Sequence, residues 1–184
     1  MEAVKSYLKT KHNLSSYQIA QITFLLKSLG SELSKLLLMG LLFHDRLGMY
    51  LFALAVMMCL RCSTGGLHFY TYIGCLAAST LYLWMSIYLL PQVEIMEVLK
   101  LVLLSACILI CHYIGPVTSK YRPAFTPTQL KRCSAFTCRF IFFFALSTYI
   151  IPENSYMIIG FWVIILHSIQ LIMGKIRKKG VENK

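Results

Sequence analysis

Residues 71–90, 98–115, 135–151 and 155–173 are four almost wholly apolar runs. Each has about the length that a helix needs to cross a hydrocarbon core of about 30 Å. In lipid a backbone must satisfy its own hydrogen bonds, so runs of this kind are expected as helices. Pro91, Gly115-Pro116 and Pro152-Glu153-Asn154 end three of them, and a basic run from Lys175 to Lys179 follows the fourth. Charged residues make up 14% of the chain, against roughly 25% in an ordinary soluble domain. No long polar stretch is left from which to build a soluble domain. The expected fold is an all-α integral membrane protein, with residues 1–184 as one membrane-embedded domain.

Residues 33–60 form a further apolar block, interrupted by His44-Asp45-Arg46-Leu47-Gly48. One continuous helix would be about 42 Å long and would carry Asp45 and Arg46 into mid-membrane. A hairpin with its polar tip at 44–48 avoids that cost, but its arms would be short. Six membrane-spanning helices are therefore expected, or four plus a re-entrant hairpin. Residues 1–30 mix apolar positions with Lys5, Lys9, Lys11 and Lys27. They read as an amphipathic segment, either lying in the membrane interface or packed on the protein's own face. Asn13 or Ser15 would start its second helix and Gly30 would end it. No cleavable signal pattern is expected there.

The net charge is +11, and the cations are concentrated in the N-terminal segment, at Arg61, over residues 120–132 and at Lys175 to Lys179. The turns at 44–48, 92–97 and 152–154 are acidic or neutral. Basic loops mark the cytoplasmic side, so both termini, Arg61 and the 117–134 segment are expected in the cytoplasm of a multi-pass cell-membrane protein. These cations flank apolar spans and form no solvated patch of their own, which argues against a nucleic-acid partner.

The stretch Arg61-Cys62-Ser63-Thr64-Gly65-Gly66-Leu67-His68-Phe69-Tyr70-Thr71-Tyr72-Ile73-Gly74-Cys75 joins two apolar regions and brings together a cation, glycines, a base and a nucleophile. Cysteine hydrolysis needs a thiolate, and a free thiol has a pKa of about 8.5. An imidazole and a helix N-terminus both favour the thiolate. On one regular helix His68 and Cys75 would stand about 10.5 Å apart. The glycines let the backbone bring His68 from a loop onto the helix start. Arg61 reads either as a membrane-interface anchor or as a receptor for a substrate carboxylate. Gly65 and Gly66 read either as a plain turn or as a source of backbone N–H groups for an oxyanion hole.

Arg61, Gly65-Gly66-x-His68 and Cys75 together resemble the active-site pattern of the accessory gene regulator B (AgrB) family. The chain's length, its basic amphipathic N-terminus and its basic central loop are similar to that family as well. The resemblance implies a membrane cysteine endopeptidase that processes the precursor of a cyclic peptide pheromone, with His68 and Cys75 as the catalytic pair. It implies that Arg61 is needed for processing and that Lys120 and Arg122 belong to the family's basic loop. The residue after the histidine is commonly small in the family and is Phe69 here. The implied partner is a pheromone precursor with an acidic tail, whose charge Arg61 and the basic loop would suit. Membrane lipids are a second partner, and a homodimer is compatible with the reading. No metal or organic cofactor is implied.

Two other function classes compete with this one. A small peptide exporter would explain the spans, but the chain lacks the internal repeat usual in transporters. A redox protein would use Cys59 and Cys62, which form a C-x-x-C. Cys111 and His112, and Cys133 and Cys138, are further metal-ligand types without convergent spacing. The seven cysteines are expected mainly as small packing residues. His167 and His12 read as interface residues, and His44 with Asp45 as part of an outer turn. No acid stands near His68 in sequence, so a dyad is expected.

Overall fold

The computed structural model describes residues 30–65, 71–116, 126–152 and 154–182, and the elements among them are helical. The all-α expectation holds. The amphipathic segment 1–29 lies outside the described residues. Residues up to His44 and residues from Asp45 onward form two units.

In the first unit, α1 occupies residues 30–42. Gly30, expected to end a helix, is already helical. Within α1, Lys35 and Glu32 form an i,i+3 ion pair at 2.7 Å. The helix closes with the Phe43 N–H on the Met39 carbonyl, 2.9 Å. A 3-10 turn, His44–Arg46, then falls at the expected polar tip.

The second unit holds α2 (Leu47–Thr64), α3 (Tyr72–Trp84), α4 (Glu97–Ile114), α5 (Pro127–Ile150) and α6 (Ser155–Glu182). Five candidate spans stand among the described residues: His44–Thr64, Tyr72–Gln92, Glu97–Ile114, Pro127–Ile150 and Ser155–Ile176. The expectation of two short arms in residues 33–60 needs correcting. The second arm gains a turn beyond Leu60 and reaches span length, 21 residues with its 3-10 start.

Local chemistry sets the other ends. Helix α3 passes into a π-turn, Met85–Leu89, and a 3-10 turn, Leu90–Gln92. Pro91 has no N–H to give the Ile87 carbonyl four residues back, and the Arg46 guanidinium comes within 3.5 Å of that carbonyl. Helix α4 stops at Gly115, whose φ is +67°. Helix α5 begins well before residue 135, inside the segment expected as a polar loop. Thr126 and Gln129 form a capping box there, and Pro127 opens the helix. Lys131 and Arg132 therefore ride on its first turns. Asn154 accepts the Met157 N–H at 3.0 Å near the start of α6. That helix continues through the basic run to Glu182, so the expected C-terminal tail is a helical extension.

Helix α6 is the hub of the second unit. It packs on α2, on α4 and on the irregular end of α3, while α5 packs on α4 and α2. Ile159, Phe161, Val163, Ile164 and Leu171 of α6 are buried. At Gly160 a Cβ would stand 2.5 Å from the Phe144 ring and 3.2 Å from Phe52, so glycine is what lets α2 and α5 approach this closely. Large apolar side chains such as Leu81, Val102, Phe142, Phe143 and Ile169 remain exposed on the outer faces. That pattern suits lipid, which is as apolar as the side chains it meets.

Candidate functional site

The contacts fix which helix ends lie together. Thr64 at the end of α2 meets His167 of α6. Cys111, near the end of α4, lies 4.0 Å from Ser168 of α6, and Cys138 of α5 reaches the Ile108 carbonyl of α4. Five residues, 66–70, separate Gly65 from Thr71 and limit how far α3 can begin from the end of α2. One end of the second unit thus gathers Arg61, Lys131, Arg132 and Lys175. Asp45, Glu94 and Glu97 belong to the other.

Cys75 lies in the first turn of α3. Thr71 is the N-cap, and its side-chain oxygen accepts the Gly74 N–H at 3.1 Å. The Cys75 N–H bonds to the Thr71 carbonyl at 3.0 Å. The cysteine is half-buried. A first-turn position is where the helix dipole favours negative charge. This is the helix start that the sequence suggested. The first turns of α3 touch α2 only thinly, and the helix is anchored chiefly through its far end.

Gly65 caps α2 with φ +73°, a conformation that L side chains rarely adopt, and its N–H bonds to the Arg61 carbonyl at 2.9 Å. Gly66 and His68 lie outside the described residues, as do Lys120 and Arg122. Of the expected site residues, then, Arg61, Gly65 and Cys75 are the ones the structure describes.

The half-buried Arg61 side chain turns towards α3 and α6. One terminal nitrogen donates to Gln170 Oε1 at 3.1 Å, and its Cζ lies 5.7 Å from the centre of the Tyr82 ring. Tyr82 in turn donates its hydroxyl to the Val163 carbonyl at 2.6 Å. Arg61 Nε is buried without a hydrogen-bond partner among the described residues. The ion pairs among the described residues are Lys35–Glu32 and Lys100–Glu97, so no described carboxylate neutralises Arg61. A guanidinium held by neutral groups keeps its full charge and is chemically suited to pairing with an anion.

His167 was expected at an interface and is instead wholly buried. Its Nε2 lies 2.7 Å from Thr64 Oγ1, and Nδ1 has no hydrogen-bond partner among the described residues. A histidine taken alone gives no hint of this. His167 and Gln170 stand three apart and share a face of an apolar helix, and an ionisable residue inside a span is a functional candidate by default. That pair was the signal available in the sequence.

A cavity of about 600 Å³ opens between the end of α4 and the start of α5, lined in part by His112, Lys131, Ser134 and Cys138. Cys111 is buried and its neighbour His112 exposed, so the two do not converge. No disulfide joins any of the seven cysteines. Among the described residues no three His, Cys, Asp or Glu side chains gather as a metal site. Asp45 accepts the Tyr88 hydroxyl at 2.7 Å, and Tyr88 is about 20 Å along the helix from Cys75.

No curated protein and no solved structure matches the chain. A family model described as Accessory gene regulator B matches residues 1–171, all but the last few residues of the spans. With that match and five apolar helices of spanning length, the chain belongs to the AgrB family and is a membrane-embedded protein of the agr quorum-sensing system.

Proposed function

We propose that this protein is a membrane cysteine endopeptidase that cleaves a pheromone propeptide at its C-terminal tail and promotes closure of a thiolactone or lactone ring. The observation that carries this reading is the seat of Cys75. It is a half-buried thiol in a capped helix first turn, seven residues after His68 and at the same helix ends as a guanidinium that no described carboxylate neutralises. The catalytic end faces the cytoplasm, where the positive-inside rule puts Arg61, Lys131, Arg132 and Lys175.

In this mechanism His68 takes the proton from Cys75, and the thiolate adds to the carbonyl that joins pheromone to tail. The Gly65 N–H is already taken by the Arg61 carbonyl, so of the two glycines Gly66 is the one whose N–H steadies the oxyanion. The carbon–nitrogen bond breaks, and the imidazolium returns its proton to the leaving amine of the tail. The acyl group now sits on Cys75 as a thioester. A thiol or hydroxyl within the pheromone segment attacks that thioester, its proton leaves through His68, and the Cys75 thiolate is released with the ring closed. Exclusion of water from the site favours this exchange over hydrolysis. Arg61, Lys120 and Arg122 hold the acidic tail. No resident metal or cofactor enters the scheme, and a second copy of the chain is a compatible partner.

The test is cleavage of a propeptide by protein reconstituted in membranes. Cys75→Ser and His68→Ala should each abolish cleavage while the protein still inserts. Cys59→Ser, Cys62→Ser, Cys111→Ser and Cys133→Ser should keep substantial activity. Release of the cyclic peptide by a Cys75→Ala protein would refute the assignment.

A further inference from the structure

We propose that His167 is a positioning residue: through Thr64 it fixes the last turn of α2, the point from which the chain runs on through Gly65 and Gly66 to His68. The role rests on the endopeptidase reading above.

Thr64 Oγ1 lies 2.8 Å from the Leu60 carbonyl and 2.7 Å from His167 Nε2. With the hydroxyl proton on the carbonyl, Nε2–H donates to Thr64; with the other tautomer, Thr64 donates to Nε2, and either way one bond joins the two side chains. Both residues are wholly buried, so water does not replace the bond if it is lost. The imidazole belongs to α6, the hub of the unit, whereas Thr64 is the final residue of α2. The bond therefore ties the end of a span to the most firmly packed helix.

The site begins directly after Thr64. Gly65 comes next with its left-handed backbone, Gly66 after it, and His68 three residues beyond Gly65. A chain with two successive glycines transmits little orientation unless its starting point is fixed. Thr64 is that starting point, and the Gly65 N–H on the Arg61 carbonyl closes the same turn. Arg61 has its own hold on α6 through Gln170, so losing His167 should disturb the base more than the binding cation. Among the described residues His167 Nδ1 has no partner and adds no second anchor.

The experiment uses full-length protein in membranes, with kcat and KM measured for propeptide cleavage. The rate of Cys75 alkylation is measured in parallel as a substrate-free readout. His167→Leu and Thr64→Val should each lower kcat about tenfold with KM little changed, since each removes a buried bond at a catalytic positioning step. Together they should lower it by about the same factor rather than by about a hundredfold, because both break one bond. His167→Gln, whose amide can donate to Thr64, and Thr64→Ser should restore most of kcat. Alkylation of Cys75 should slow in His167→Leu and recover in His167→Gln. Wild-type kcat and alkylation in His167→Leu would overturn the proposal. So would equal loss in the Leu and Gln variants in step with folded protein, since that is what a purely structural histidine gives. If the wild type fails to cleave while Cys75 alkylation still depends on His167, the endopeptidase reading falls and the positioning role stands.

Discussion

Replacing Thr71 with Val removes one hydroxyl and keeps the side chain's shape. In the structure that oxygen accepts the Gly74 N–H at 3.1 Å and caps the helix that carries Cys75. Loss of an N-cap of this type costs about 1 kcal/mol, roughly a fivefold rise in the population of an opened first turn. The effect should stay local, because α3 is anchored mainly at its other end and its first turns touch α2 only thinly. Hydrogen exchange at Gly74 and Cys75, read by mass spectrometry with fragmentation, should therefore speed up about fivefold, with exchange in α6 unchanged. Cleavage should fall, since the thiol spends less time at the ordered helix start. Thr71→Ser keeps the acceptor and should behave as wild type. Unchanged exchange at Gly74 in Thr71→Val would refute the claim that this cap holds the nucleophile in place.

Gly160→Ala should destabilise the protein by about 1–3 kcal/mol in a detergent unfolding titration, because its methyl would meet the Phe144 ring; Phe144→Leu should recover much of the loss. Reversing Lys120 and Arg122 to Glu should weaken processing more than it lowers protein abundance, and the wild-type rate should fall as salt is raised. Tyr88→Phe breaks the bond to Asp45 at the far end of α3 and should leave cleavage at the wild-type rate.

The spans were legible because their composition left one option: long apolar runs with proline, glycine and charged stops can only be helices in lipid. The first turn of α3 was legible for a related reason, with Thr71 standing ahead of an apolar run and Cys75 four residues on. The start of α5 was less visible although Thr126, Pro127 and Gln129 spell a helix N-terminus, because the basic residues after them suit a polar loop equally well. The register of residues 33–60 was harder. Arm length depends on where the turn ends, and Leu47 and Gly48, at the polar tip in sequence, are helical. Least visible was the buried polar cluster. Its members are spread over residues 61–170 and meet only once α2, α3 and α6 pack. An isolated histidine in an apolar run does not reveal its partner, and only its spacing from Gln170 hinted at a shared face.

Endopeptidase chemistry at Cys75 is tested most directly by trapping the acyl intermediate. Protein in membranes is mixed with propeptide and quenched in acid within a single turnover, and the intact mass is then measured. The expected adduct has the mass of the propeptide without its C-terminal tail, maps to Cys75 and is released by hydroxylamine, as a thioester is. It should build up further when the ring-closing residue of the substrate is replaced by Ala, because capture of the acyl group is then blocked. Cleavage that proceeds with no adduct on Cys75, or with an adduct on another cysteine, would contradict the assignment.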